Sequence, residues 1–399
     1  MYGGGNIGRG FVGALMGTAG YEVTFIDVAE PVVERLRSEG RYPVRIVSGE
    51  GHEDIWITGV SAVNGNDSQA AAQAIAGCDI MATAVGARIL GFIIPNIVAG
   101  LRLRWSAGVG PLNIIICENL NDANKVVERM IKEQLTEQER IIFDREVGLV
   151  EASIGRMVPV QTDEMKDGEP LRVCVERYGF LPVDKAAFKG AIPNIRGLVP
   201  SEPFDFYVKR KLFVHNMGHA TTAYLGGLSG LKYVWQAIDD PEIRVIAQNA
   251  MLESAQALSR HYKVSLEALQ MHISDLLGRF GNRALADTCE RVGGDPARKL
   301  SPADRLVGAA ALSLDEGITP AYITVGLAAG IRRFLDEAGT PQGCEAADKV
   351  LSDVSALAPD SPLRRMAMDY YRMILSGCSL ADLRRSADAC KSASLVDII

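Results

Sequence analysis

The chain has 399 residues, room for two domains of ordinary size, and its 48% apolar and 23% charged residues are the balance of a globular enzyme. A formal net charge of −7 without a long Lys/Arg block argues against nucleic-acid binding. The longest apolar run, residues 89–101, is interrupted by Pro95 and Asn96 and is too short to span a bilayer, and no signal-peptide pattern precedes it, so a cytoplasmic protein with no membrane partner is expected.

The first element is a turn. Gly3-Gly4-Gly5-Asn6-Ile7-Gly8 follows the pattern G-x-G-x-x-G and runs into a helix predicted over residues 9–20. Each glycine has a task in such a loop. Gly3 permits the tight turn, Gly5 lets the backbone approach a pyrophosphate, and Gly8 allows close helix packing, so Asn6 and Ile7 stand at the positive end of the helix where an anion binds. The next apolar run, residues 23–26, reads as a buried strand, and Asp27 ends it. A carboxylate about 20 residues after the glycines accepts hydrogen bonds from an adenosine ribose and repels a 2′-phosphate. The expected cofactor is therefore a dinucleotide, NAD rather than NADP. Only Met1 and Tyr2 precede Gly3, where a central strand is expected, so the first strand is largely missing and a truncated start is the expectation.

Further along, strands are predicted over 79–85 and 112–117, helices over 31–39, 68–77 and 121–137, and a small hairpin from 45–47 and 55–58. Continuous apolar strands alternating with helices indicate a Rossmann-type doubly wound parallel sheet. Ligands bind at the carboxyl ends of such strands, which nominates backbone contacts at Val85 and Gly86 and a ribose contact from Asn119. Glu118 has a structural alternative. After about residue 188 strand signals nearly vanish and 3.6-period segments take over at 204–225, 241–261 and 363–375. The expected organisation is an NAD-binding domain over 1–187 and an α-helical substrate domain over 188–399. The seven cysteines are scattered without a CxxC pair, which fits reduced thiols and no zinc site.

The segment 209–219 is the richest in chemistry. On a regular helix at about 100° per residue, with Lys211 at zero, His215 falls near 40°, His219 near 80° and Asn216 near 140°. That face is either a solvated polar surface or a site. A lysine near a cofactor can act as general base because desolvation lowers its pKa.

Lys211-x4-Asn216-x2-His219, together with GGGNIGRGF, resembles the polyol-specific long-chain dehydrogenases, the mannitol dehydrogenase family. The similarity continues through Pro111-Leu112-Asn113-Ile114-Ile115, Cys117-Glu118-Asn119, Phe188-Lys189-Gly190, Gly278-Arg279-Phe280 and Arg298-Lys299-Leu300-Ser301. The resemblance implies metal-independent interconversion of a polyol and a ketose with NAD. It makes Lys211 the general acid/base, Asn216 a hydrogen-bond donor to the reacting oxygen, and His219 an orienting group. His215 lies outside the family pattern and reads as structural. Glu151 stands where relatives carry an asparagine, and its expected role is to accept from a substrate hydroxyl or to pair with Lys211. Asn282-Arg283 replaces an expected Asn-Pro, and Gly294 an expected basic residue.

Arg279, Arg283, Arg298 and Lys299 are candidates for a substrate phosphate, which a cation fork would hold; the alternative is solvated or structurally paired charge. The implied reaction is of the mannitol 1-phosphate/fructose 6-phosphate type. An unphosphorylated polyol or hexuronate, or a non-catalytic NAD-binding protein, are the alternatives. The only expected partner is a small molecule, with monomer and dimer both open.

Overall fold

The computed structural model describes residues 1–49, 51–120 and 122–396. The chain divides into two units, Met1–Asp205 and Phe206–Ile399. The first holds ten strands among the described residues: β1 (Val23–Asp27), β2 (Arg41–Ser48), β3 (Gly51–Thr58), β4 (Val60–Asn64), β5 (Ile80–Thr83), β6 (Leu112–Ile116), β7 (Val147–Glu151), β8 (Val173–Val175), β9 (Leu181–Asp184) and β10 (Leu198–Ser201).

Strands β1 and β4 pair in parallel, and so do β5, β6 and β7. Residues 1–3 join the two pieces. Tyr2 donates to the Ala82 carbonyl (2.8 Å), Gly3 donates to Ile26 (2.8 Å), and the amides of Ile26 and Ala84 donate to Met1 and Tyr2 (2.9 Å each). Counting residues 1–3 as the first strand, the order is 3-2-1-4-5-6, the doubly wound dinucleotide-binding topology. The Met1 nitrogen donates to Thr24 (2.8 Å), and beyond it the edges at 22–24 and 80–82 flank a cavity of about 650 Å³.

Apolar runs become strands because both faces of this sheet are covered. All five residues of β6 are buried, and helices Ser68–Gly77 and Leu90–Ala107 pack together on the sheet. The helix predicted over 121–137 ends at Lys132, a further helix not predicted, Glu137–Glu146, follows it, and Asn121 lies outside the described residues. The break is set by a capping box in which Thr136 and Glu139 exchange side-chain and backbone hydrogen bonds. The predicted hairpin is longer than expected: β2 and β3 pair antiparallel along their whole lengths, and β8 adds in parallel to form a second sheet.

The unit boundary falls at 205, later than the 187 expected. Strand β10, beyond residue 187, pairs in parallel with β9 and so stays with the first unit. Four residues with one proline, Leu198-Val199-Pro200-Ser201, are too short a signal to read as a strand in a helix-rich region.

The second unit is helical. Helix Ala321–Glu337 is buried along most of its length and packs against Met217–Leu228, Pro241–Tyr262 and Pro362–Leu375. Its first turn is capped from another helix. Glu253, 2% exposed, accepts from the amides of Tyr322 and Ile323 at 3.1–3.2 Å, with Lys391 Nζ at 3.5 Å. Burial holds the Glu253 carboxyl up at about 7, against the pull of Lys391 and the two amides.

Candidate functional site

The glycine loop leaves β-space through Gly3, whose φ of +97° is strained for other residues and whose added Cβ would lie 2.4 Å from the Ala84 carbonyl oxygen. Gly8 packs still closer: a Cβ there would sit 1.9 Å from the Gly3 oxygen. Between them the chain turns into a helix that begins at Asn6, earlier than predicted, and runs as a π-helix over Gly8–Gly13 before Ala14–Thr18. Gly5 and Asn6 are exposed, and a Cβ on Gly5 would meet nothing. The small residue at position 5 is therefore not demanded by packing within the protein. An open helix start beside exposed backbone is the cradle that a pyrophosphate fits.

Asp27 ends β1 and anchors the loop. Its Oδ2 accepts from the Gly4 amide at 2.6 Å and its Oδ1 from Ala29 at 2.9 Å. Each oxygen keeps a further lone pair for a ribose hydroxyl. At Val85 and Gly86, where backbone contacts are expected, the amides are already engaged. They donate to the buried carboxylate of Glu118 at 3.0 and 2.7 Å, so they are not free donors for a ligand. Asn119 is exposed just past β6.

Glu151 ends β7 opposite Ile116 and is half-buried. Its carboxyl is pushed up to about 7, first by burial and then by the negative charges of Asp122, Asp184 and Asp205, with Lys125 opposing. Near neutral pH a large share of it is protonated and can donate. An ionised acceptor was expected here.

In the second unit the run 205–228 is helical throughout, but not uniformly. Asp205–Arg210 is α-helical, Lys211–Asn216 is a π-helix, and α-helix resumes at Met217. A π-turn bonds residue i to i+5, so Lys211 and Asn216 lie about one turn apart rather than 140° around the axis. Lys211, Asn216 and His219 are partly exposed, while Phe213, Val214 and His215 are buried. His215 packs near Phe280, with ring centroids 5.8 Å apart, and burial drives its pKa well below the ordinary value.

His219 stacks on Phe280 with ring centroids 4.7 Å apart and planes 12° apart, and its Nε2 lies 3.7 Å from Asp287 Oδ2. Burial is the main reason its pKa falls to about 3, followed by the positive charges of Arg291, Arg305, Lys299 and Arg279. The imidazole is neutral at working pH. Asp287 is 8% exposed and paired with Arg291, and burial raises its carboxyl above the usual range. Neither Phe280 nor Asp287 was marked as a site residue. Their proximity to His219 comes from packing, and no local spacing signals it.

Each of the four phosphate candidates has a protein partner. Arg279 pairs with Asp275 at 3.3 Å. Arg283 pairs with Asp239 at 3.4 Å and lies over Trp235, 4.5 Å from the ring centre. Arg298 bridges Asp295 (2.6 Å) and Asp304 (3.2 Å). Lys299 is buried, donates to the carbonyls of Val292 (2.6 Å) and Gly294, and is lowered to about 8, chiefly by burial.

Comparison with known proteins agrees over both units. The family model for the mannitol dehydrogenase Rossmann domain matches residues 1–197, and that for the mannitol dehydrogenase C-terminal domain matches residues 204–363. Among solved structures, substrate-free D-sorbitol dehydrogenase superposes with a TM-score of 0.79 at 13% identity, over 94% of this chain and 92% of that one. The mannitol 2-dehydrogenase of Pseudomonas fluorescens, in a ternary complex with NAD and D-mannitol, superposes with a TM-score of 0.70 at 16% identity, over 96% and 93%. At such identities the shared fold is what these two structures establish.

Proposed function

The chain belongs to the mannitol dehydrogenase family, whose members are NAD-dependent polyol dehydrogenases, and from that premise we propose that it interconverts a sugar-alcohol phosphate and a ketose phosphate, with Lys211 as general acid/base. The pair is of the mannitol 1-phosphate/fructose 6-phosphate type. The observation that carries this reading is the charge around the neutral His219, which stacks on Phe280: Arg279, Arg291 and Arg305 are each paired with an aspartate, whereas Lys299, held by the carbonyls of Val292 and Gly294, adds its positive charge without an ion pair among the described residues. A field of that sign suits a substrate carrying a dianion.

Bound NAD supplies the hydride acceptor. The chain's own groups do the rest. Lys211 Nζ takes the hydroxyl proton as the carbonyl forms and returns it in the reverse direction. The Asn216 side-chain amide donates to the same oxygen as charge develops on it. The Asp287 carboxylate 3.7 Å from His219 Nε2 favours the proton on that nitrogen, which leaves Nδ1 to accept from a substrate hydroxyl. Glu151, poised near neutrality, can donate to or accept from a hydroxyl as pH dictates.

A second reading, an unphosphorylated polyol or hexuronate as substrate, draws on the internal partners of Arg279, Arg283, Arg298 and Lys299. NADH oxidation with fructose 6-phosphate, fructose and fructuronate separates the two. The phosphate reading expects kcat/KM at least about 100-fold higher for fructose 6-phosphate, the scale of one charge-assisted fork. Turnover of only an unphosphorylated ketose overturns it. For the cofactor, Asp27→Ser is expected to narrow the preference for NAD over NADP, and an unchanged ratio would remove Asp27 from the ribose.

A further inference from the structure

Arg9 follows Gly8 directly, yet its side chain turns inward and is only 7% exposed. Its Nε donates to the Gly4 carbonyl at 2.7 Å and its Nη1 to the Leu171 carbonyl. The Tyr42 hydroxyl donates to the Arg9 carbonyl at 2.8 Å, which pins the backbone beneath. Among the described residues no carboxylate stands within ion-pair distance of this guanidinium; Asp27 and Glu169 act on it only from farther away.

A buried cation without a counter-ion is costly, and the chain's other buried arginines either fill more of their donors than Arg9 does or pair with a carboxylate. Arg104 donates to four carbonyls, those of Gly110, Ala76, Cys78 and Pro111. Arg364 and Arg172 pair with Asp348 and Asp54. Arg9 has two carbonyls for its five donor hydrogens.

Its location explains the exception. Gly4 is held at both ends, its amide by Asp27 and its carbonyl by Arg9. The Asp27 charge, held against the Gly4 amide, also repels a pyrophosphate bound at the same loop. A fixed positive charge behind the loop offsets that repulsion without occupying the surface where the ligand lies.

We propose that Arg9 is a positioning residue and buried countercharge for a diphosphate bound at the glycine loop, acting through the loop's field and the Gly4 peptide. The inference rests on the dinucleotide reading. Its test compares ADP-ribose, which has the diphosphate, with adenosine, which has only the base and ribose, by calorimetric titration of the whole protein.

In Arg9→Met, ADP-ribose is expected to bind about 10-fold more weakly or worse, the scale of one lost charge interaction at intermediate dielectric, while adenosine changes less than about 2-fold. Arg9→Lys keeps the charge and loses the fork. It should hold the ADP-ribose-to-adenosine affinity ratio within about 3-fold of the native value, and it carries the test alone if Arg9→Met fails to fold. Equal weakening of both ligands, or a ratio lost as fully in Arg9→Lys as in Arg9→Met, would reduce Arg9 to packing and overturn the proposal. Native protein that binds neither ADP-ribose nor NADH would instead remove the dinucleotide reading, and the inference with it.

Discussion

In the first unit buried charge mostly grips the main chain; in the second it mostly pairs side chain with side chain. Arg9 and Arg104 hold carbonyls, while Asp27 and Glu118 hold amides. In the helical unit Arg291 pairs with Asp287, Arg305 with Asp304, and Arg364 with Asp348. The difference follows from which atoms do the work. A dinucleotide loop presents backbone N–H groups, so the backbone must be clamped in a shape that no regular element provides. A helix satisfies its own backbone, so burial and charge there act on side-chain protonation, as burial first and then the neighbouring cations do for His219.

Removing a side-chain atom from the helical unit should have the largest effect. Lys211→Ala is expected to lower kcat by about 1,000-fold or more, within the range for lost proton transfer, and to leave the NADH dissociation constant within about 2-fold. Stopped-flow single turnovers with fluorescence titration measure both, and near-native kcat would take Lys211 out of the mechanism.

Glu253 is where the comparison is most exposed, because in the helical unit it grips backbone amides as the first unit's charges do. Glu253→Ala strands two buried amides and should cost about 2–3 kcal/mol. That lowers the melting transition by roughly 5–10 °C for a unit of this size. With kcat unchanged the role is structural; a fall in kcat at constant melting temperature would make it functional.

The smallest effect tests Glu151. Its folded-state pKa is raised, so between about 4.5 and about 7 the folded chain holds a proton that the unfolded chain has released, and stability falls as pH rises through that window. Glu151→Gln removes the fall and should be the more stable form at pH 8 by about 1 kcal/mol after allowance for exposure. That is roughly 2–4 °C, with no difference at pH 4. A pH–rate limb near 7 should vanish in the same variant, because His219, held at about 3, does not titrate there. A limb that persists would belong to another group.

Several features were readable because their causes are local. Gly8 is required by the Gly3 oxygen of its own turn and Gly3 by its φ of +97°, and Asp27 sits at a spacing set by one helix and one strand. The pair Thr136 and Glu139 also carries a legible capping signal at the end of the predicted helix 121–137, one that marks the start of the next helix. Other features have distant causes. The Val85 and Gly86 amides are engaged by Glu118, more than 30 residues away. Strand β10 exists because β9 offers it an edge.

From the sequence alone came the doubly wound sheet, the helical second half, the acid that ends β1 and the polar residues of 211–219, since periodicity and turn chemistry act over a few residues. Tertiary structure decided which of those groups are poised and how they face. It inserted a π-turn that aligns Asn216 with Lys211, seated His219 on Phe280 beside Asp287, and buried Arg9 behind the glycine loop. Burial and charge neighbours come from chain segments far apart in sequence, and they set protonation and orientation.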